Sequence, residues 1–399
     1  MRGSLAPAAL ITLGLGLAGC ALQPPPGQPA SLALEPVALE SLPGFQGNQL
    51  EAGFIAFQES CAELLTLPAD QHLGGTGLAR SLGGTAGQWT NACTAARAVS
   101  PADSAAIRTF LATYLVAYRI SANGDSTVQF SGYFEPEVDG SLRETPHDDT
   151  PLYARPRDLV QADLSRFSPA LSGHLIAGRV QDGHLVPYFT RAEITAGALQ
   201  GKHLEIAWLA DPVDAFVLDI EGAGRIRLPN GELVRLGYDG ENGQPYVPIG
   251  RILADRGDIP KNAITLGAIV AWLKSHPDQA QMVMDQNPSY VFLRVLDGIP
   301  PDLGPPGALG VPLAPGRALA VDRNYIPLGA PIWTATTRPE GNQPLQQLMV
   351  AEDIGGALAT PLRADIFFGS GPAAATEAGA MDQPGQAYLL LPRPPAQAG

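Results

Sequence analysis

Three aspartates towards the C-terminal end, Asp322, Asp353 and Asp365, each stand in or at the edge of an apolar, strand-like run. In RADIFFG, alternation puts Ala364, Ile366 and Phe368 on one face and Arg363, Asp365 and Phe367 on the other. A carboxylate beside aromatics in a half-buried strand either costs stability or does chemistry. The chain has 39 acidic residues, so three aspartates at this spacing are unremarkable alone and the remaining sequence must decide their role. Other chemistries are set aside first. The six histidines are dispersed, without HExxH or any other metal-ligand spacing. There is no phosphate-binding Walker loop, and the glycines of Glu221-Gly222-Ala223-Gly224 do not open a βαβ unit. Ser370 lacks the G-x-S-x-G frame of a nucleophile elbow. Carboxylates remain as catalytic groups, and neither a cofactor nor a metal is expected.

The elements that must position these groups read as mainly β with some α. The chain has 399 residues, of which 16% are charged, with 45 glycines and 38 prolines. This composition favours a loop-rich β fold. The net charge of −14, with no basic stripe, argues against a nucleic-acid or anionic-membrane partner. Helices are expected at Gly53–Cys61, at Pro101–Ile120 with Ser100 as N-cap, and over ITLGAIVAWLKSH (264–276). The segment 214–238 reads as strand, Gly turn, strand, Asn230-Gly231 turn, strand. From Ser289 onward strands return: YVFLRVL, RALAVDR, PIWTATT, QLMVAED, RADIFFG and QAYLLLP.

The N-terminus carries an address. Residues 1–20 hold one basic residue, Arg2, an apolar run from Leu5 to Leu17, then small residues. This is the pattern of a secretory leader (1–19), too short to span a bilayer. Leu17-Ala18-Gly19-Cys20 resembles the bacterial lipobox, which implies lipidation of Cys20 and, with Ala21 next, retention at the periplasmic face of the outer membrane of a Gram-negative bacterium. Residues 21–42 are Pro-rich and read as a tether. With Cys20 lipidated, Cys61 and Cys93 are left; in an oxidising compartment they could form a bridge, the alternative being two buried thiols.

Several blocks in order then resemble the membrane-bound lytic murein transglycosylase A family: SGYFEPEVDGS (131–141), PLYARP (151–156), PYFTRAEI (187–194), the 211–232 segment, GYDGENGQPYVPIGR (237–251), NPSYVF (287–292), and AVDRNYIPLGAPIW, AEDIGGAL and RADIFFGSG. The last three resemble the three-aspartate domain of wall-cleaving enzymes. The resemblance implies a double-psi β-barrel domain built from 48–130 and 288–394, a second β-barrel-like domain over 131–287, and a glycan groove between them. It implies cleavage of the β-1,4 bond between N-acetylmuramic acid and N-acetylglucosamine with formation of 1,6-anhydromuramoyl ends. It makes peptidoglycan strands the partner and leaves room for cell-wall remodelling proteins. By motif position Asp365 is the acid/base; burial beside Phe367 and the charge of Asp353 are two causes available to keep it protonated. Asp353, Tyr133, Phe134, Glu135, Glu221 and Gly222 are expected at the substrate, Asp322 as a structural turn cap, and Gly355 and Gly356 as close-approach or turn residues. The chain departs from the family pattern at Glu221 and Ala223, where Gln and Ser are usual, and at Glu352, where Gln is common. Two alternatives stay open: a non-catalytic murein-binding lipoprotein, and a hydrolytic endoglycanase using Glu221 as second carboxylate.

Overall fold

The structure, a computed structural model, describes residues 31–47, 50–168, 171, 175–261, 263–355 and 358–394. The leader, Cys20 and Gly356 lie outside the described residues. The chain begins with β1 (Leu32–Val37), helices α1 (Glu51–Leu64), α2 (Gly77–Gly83), α3 (Ala86–Ala96) and α4 (Ser104–Tyr114), then β2 (Leu115–Ala122) and β3 (Val128–Glu135). An insertion follows: β4 (Glu137–Asp139), β5 (Thr150–Tyr153), β6 (Val160–Asp163), β7 (Leu175–Gln181), β8 (His184–Pro187), α5 (Arg191–Glu193), β9 (Glu205–Leu209), α6 (Pro212–Glu221), β10 (Ala223–Arg227), β11 (Leu233–Glu241), α7 (Ile249–Arg256), α8 (Leu266–Ser275), α9 (Pro277–Met284) and β12 (Val291–Leu296). The chain then returns through β13 (Ala318–Val321), β14 (Pro331–Thr337), β15 (Pro344–Ile354), β16 (Arg363–Ser370), α10 (Gly371–Ala380) and β17 (Asp382–Pro392).

Six strands close into a barrel in the order β3-β17-β14-β15-β13-β16 and back to β3. Closure depends on the length of β17, whose start (Asp382–Gly385) pairs with β3 while the residues after it pair with β14 and β2. Helices α1–α4 pack on this barrel, and their apolar residues, Phe54, Phe57, Trp89 and Phe110 among them, share one core with Trp333 and Leu389 of the barrel. Each such side chain, fully buried, contributes about 1.5–3 kcal/mol. Gly53 lets α1 lie against β15: a Cβ there would fall 2.3 Å from the carbonyl oxygen of Leu348. Cys61 and Cys93 are bridged, tying α1 to α3; in the chain-entropy picture a closure of this length is worth about 3 kcal/mol. The inserted part holds three separate sheets, β12-β11-β10-β4, β5-β9 and β6-β7-β8, rather than one closed ring.

Two elements differ from the sequence expectation. The helix expected over Pro101–Ile120 spans only Ser104–Tyr114; Asp103 caps it, accepting from the backbone N–H groups of Ala105 and Ala106. Leu115 to Ile120 belong to β2, held between β1 and β17, so sheet pairing overrides the helical spacing of Leu115 and Tyr118. The first strand expected in 214–238 is helix α6. Its punctuation was in the sequence: Asp211 caps Val213, Pro212 is the first helical residue, and Gly222 ends the helix with φ 69°. The hairpin after it, β10 to β11 across Asn230-Gly231, is as expected.

The two halves are locked by one buried carboxylate. Glu135 ends β3, where the chain leaves the barrel, and its side chain is fully buried. It accepts from Arg225 Nε (2.7 Å), Arg235 Nε (2.9 Å) and Ser370 Oγ (2.5 Å). Arg225 and Arg235 face each other across β10 and β11, so without Glu135 two like charges would be directly opposed. Both guanidinium groups also donate to the carbonyl of Leu303, on the return path to the barrel. Both crossings between the halves are thus gripped by the same two arginines.

A second buried acid sits under the barrel wall. Neighbouring residues of β15 point to opposite faces, so Asp353 looks out while Glu352 looks towards α1. Glu352 is 1% exposed, accepts from Ser60 Oγ at 2.6 Å, and its Oε2 has no hydrogen-bond partner among the described residues. Burial pushes its carboxyl from the ordinary 4.5 up to about 8, with the charge of Asp353 adding in the same direction. Folded Glu352 therefore keeps its proton up to about pH 8, whereas in the unfolded chain it loses it near 4.5. The native state binds the extra proton between those values, so stability falls as pH rises from 4.5 to 8 and flattens above. Glu352→Gln should remove most of that slope, read as urea midpoints between pH 5 and 9. Glu135→Ala, which strands two buried arginines, should cost about 3–5 kcal/mol in the same denaturation measurement.

Candidate active site

A cleft of about 760 Å³ lies between the barrel and the inserted half. Its barrel wall is ordered by strand register. Ala320 of β13 is paired with Asp353 of β15 on one side and with Asp365 of β16 on the other, and Asp365 is in turn paired with Ser131 of β3. Asp353, Ala320 and Asp365 all line the cleft. Two inter-strand spacings separate the carboxylate-bearing backbones, about 10 Å. The methyl of Ala320 leaves open space between them. The opposite face of β16 goes to the core through Ala364 and Ile366, with Phe368 packed against it, which is the alternation read from RADIFFG.

Asp365 retains 22% of its side-chain surface. Its Oδ1 accepts from the Ser131 hydroxyl and stands 3.9 Å from Arg363 Nε. Arg363 also donates to Ser131 Oγ at 3.4 Å. Gly355 lies beside it; a Cβ there would meet Leu358 at 2.8 Å and Asp365 Oδ2 at 3.7 Å, so a larger residue would crowd the acid. Asp353 accepts from the backbone N–H of Ala308 (3.0 Å) and from the Tyr133 hydroxyl (3.1 Å). Burial raises its carboxyl above the ordinary range. Tyr133 stacks obliquely on Phe367, with ring centroids 5.2 Å apart, and its hydroxyl is pushed well up by burial and then by the charge of Asp353. It therefore stays a hydrogen-bond donor.

The remaining expected residues divide. Phe134, Glu221 and Gly222 line the cleft. Glu221 closes α6 on the inserted half; its surface is open to the cleft, it has no hydrogen bond or ion pair among the described residues, and desolvation by the surrounding walls pushes its carboxyl up to about 7. Glu135 borders the cleft, but its carboxylate is consumed by Arg225, Arg235 and Ser370, so it frames the wall and has no free lone pair facing a sugar. Asp322 follows β13 outside the cleft lining; its Oδ1 accepts from the backbone and side-chain amides of Asn324, and its carbonyl from Tyr325 and Ile326. Sequence reasoning missed Ser131 and Ala320 as site residues. Ser131 opens the SGYFEPE block, but only the parallel pairing of β3 with β16 brings it to Asp365. Among the described residues no three His, Cys, Asp or Glu side chains gather as a metal ion requires.

Comparison with known proteins agrees with this architecture. The MltA specific insert domain matches residues 129–294, and the 3D domain matches 317–391. Membrane-bound lytic murein transglycosylase A of Escherichia coli (strain K12) is 30% identical over 283 residues, covering 69% of this chain and 68% of that protein. The crystal structure of membrane-bound lytic murein transglycosylase from Agrobacterium tumefaciens superposes with a TM-score of 0.78 at 31% identity, over 90% of this chain and 98% of that one. The structure of E. coli MltA with bound chitohexaose superposes with a TM-score of 0.62 at 27% identity, over 92% and 95% of the two chains. With the insertion, the barrel and a superposition over nine-tenths of the chain all matched, the chain belongs to the membrane-bound lytic murein transglycosylase A family.

Proposed function

We propose that the protein cleaves the β-1,4 bond between N-acetylmuramic acid and N-acetylglucosamine in peptidoglycan without water, leaving 1,6-anhydromuramoyl ends, with Asp365 as the single acid/base. The observation that carries this reading is the cross-strand row Asp353–Ala320–Asp365 along one wall of the cleft, with Ser131 paired to Asp365 at its end. Protonated Asp365 donates to the glycosidic oxygen as the bond from that oxygen to C1 breaks. The C6 hydroxyl oxygen of the same muramoyl residue then bonds to C1, and its proton returns to Asp365. The nucleophile is intramolecular, so proximity supplies what a second carboxylate supplies in hydrolytic glycosidases. The Ser131 hydroxyl and Arg363 fix the carboxyl's orientation. Asp353, tied to Tyr133 and the Ala308 N–H, presents a sugar-binding edge. Phe134 contacts the glycan from the barrel strand β3 and the Glu221-Gly222 corner from the inserted half, and Asp322 holds the turn after β13.

The chitohexaose carried by the E. coli relative supports a β-1,4 glycan as the occupant of the cleft. The relatives named membrane-bound support attachment to a membrane. We assign that attachment to acylation of Cys20 and its site to the periplasmic face of the outer membrane. One observation favours a second reading: Glu221 is a free carboxyl across the cleft, pushed up to about 7. As a water-activating base it would make the enzyme hydrolytic.

The separating experiment is mass spectrometry of digested murein. Wild-type protein should release anhydromuropeptides, and Asp365→Asn should lower the rate on the order of 10²–10⁴-fold while its thermal midpoint stays near wild type, because Asn still accepts from Ser131. Reducing-end products that disappear in Glu221→Gln would establish the hydrolytic reading. Binding to sacculi with no product of either kind would make the protein a murein-binding lipoprotein.

A further inference from the structure

The small sheet β6-β7-β8 reverses the usual polarity of a surface sheet. Its register puts Val160 opposite Gly178, Ala162 opposite Ile176, Gly178 opposite Pro187 and Val180 opposite Leu185. These residues share one face, and it carries no charge. The other face packs inward: Ala177 lies against the Tyr188 cluster, and Arg179 stacks 4.0 Å over Phe189. The apolar face is therefore the outer one. Val180 is 64% exposed, Ile176 45%, Leu185 42% and Val160 39%, and Phe167 in the connection between β6 and β7 is 78% exposed. Isolated exposed apolar residues need no explanation, but a contiguous face does.

We propose that this face rests on a lipid bilayer, at the boundary between headgroups and acyl chains. Charge points to that occupant. Between residues 157 and 187 three arginines (Arg157, Arg166, Arg179) balance three aspartates (Asp158, Asp163, Asp182), with no Lys or Glu, in a chain whose net charge is −14. A neutral apolar platform on an otherwise acidic molecule can lie on a bilayer without repulsion, whereas two acidic copies brought together would repel. Reach points the same way, and this part rests on the assignment of Cys20 as the anchor. Residues 21–30 separate Cys20 from the first described residue, a span of at most about 40 Å. The body is thus held close to the surface, and even a weak apolar contact is made intramolecular by the tether. The platform would orient the enzyme rather than retain it.

The test uses the chain from residue 20 with Cys20→Ser, so that acylation cannot mask the contact, mixed with net-neutral phosphatidylethanolamine–phosphatidylcholine vesicles and floated on a density gradient. The expected result is weak flotation that falls roughly fivefold or more in Val180→Asp/Leu185→Asp, with unchanged release of anhydromuropeptides from soluble glycan. The milder pair Ile176→Thr/Val180→Thr should lie between, and its activity reports folding. Equal flotation of wild type and variants, or no flotation at any lipid concentration, would overturn the proposal. So would a dimer seen by sedimentation that Val180→Asp dissociates, which would give the face to a second copy. Mass spectrometry of the unmutated chain for the acyl group reads the Cys20 assignment separately.

Discussion

The structure depends on the burial of Glu135 between Arg225 and Arg235. A carboxylate taken wholly out of water is costly unless its charge and its lone pairs are met, and here two guanidinium groups and the Ser370 hydroxyl meet them. The consequence is geometric. The barrel and the inserted half are joined by two chain crossings, and both end on the same arginine pair, one through Glu135 and the other through Leu303. The width of the cleft is fixed at its root by charge-assisted bonds, which are directional where apolar packing is not. Tyr133, two residues before Glu135 on the same strand, inherits that precision and passes it to Asp353.

The cleft wall uses the barrel as a ruler. Strand spacing sets Asp353 and Asp365 apart, and Ala320 keeps the gap between them clear. Alternation along β15 separates two acids that follow one another in sequence: Asp353 faces the cleft and Glu352 the core, where burial pushes it up to about 8. Each acid answers to its own surroundings.

Much of this was legible in the sequence. The C-terminal strands, the hairpin across Asn230-Gly231 and the two faces of RADIFFG follow from alternation and turn chemistry, which are local. The bridge between Cys61 and Cys93 stood as one of two open outcomes. Helix α6 was misread because an unbroken apolar run weighed more than the Asp211-Pro212 start and Gly222 stop around it. The end of α4 was misplaced because Leu115–Ile120 fits helical spacing, and only its partners β1 and β17 draw it into a sheet. The task of Glu135 was not legible at all. Its partners lie 90 and 100 residues away, and no local pattern marks a carboxylate that will be buried between two arginines. Ser131 was hidden for the same reason, its place beside Asp365 being a matter of register between distant strands.

Strand β17 gives the barrel an order of assembly. Among the described residues it follows every other strand, and it alone joins β3 to β14. Its first residue, Asp382, is paired with Ser131, the residue that orients Asp365. A chain that emerges N-terminus first can fold α1–α4 and the inserted half early, yet the ring stays open until β17 arrives. The row Asp353–Ala320–Asp365–Ser131 therefore acquires its supporting neighbour only after the other barrel strands have been made.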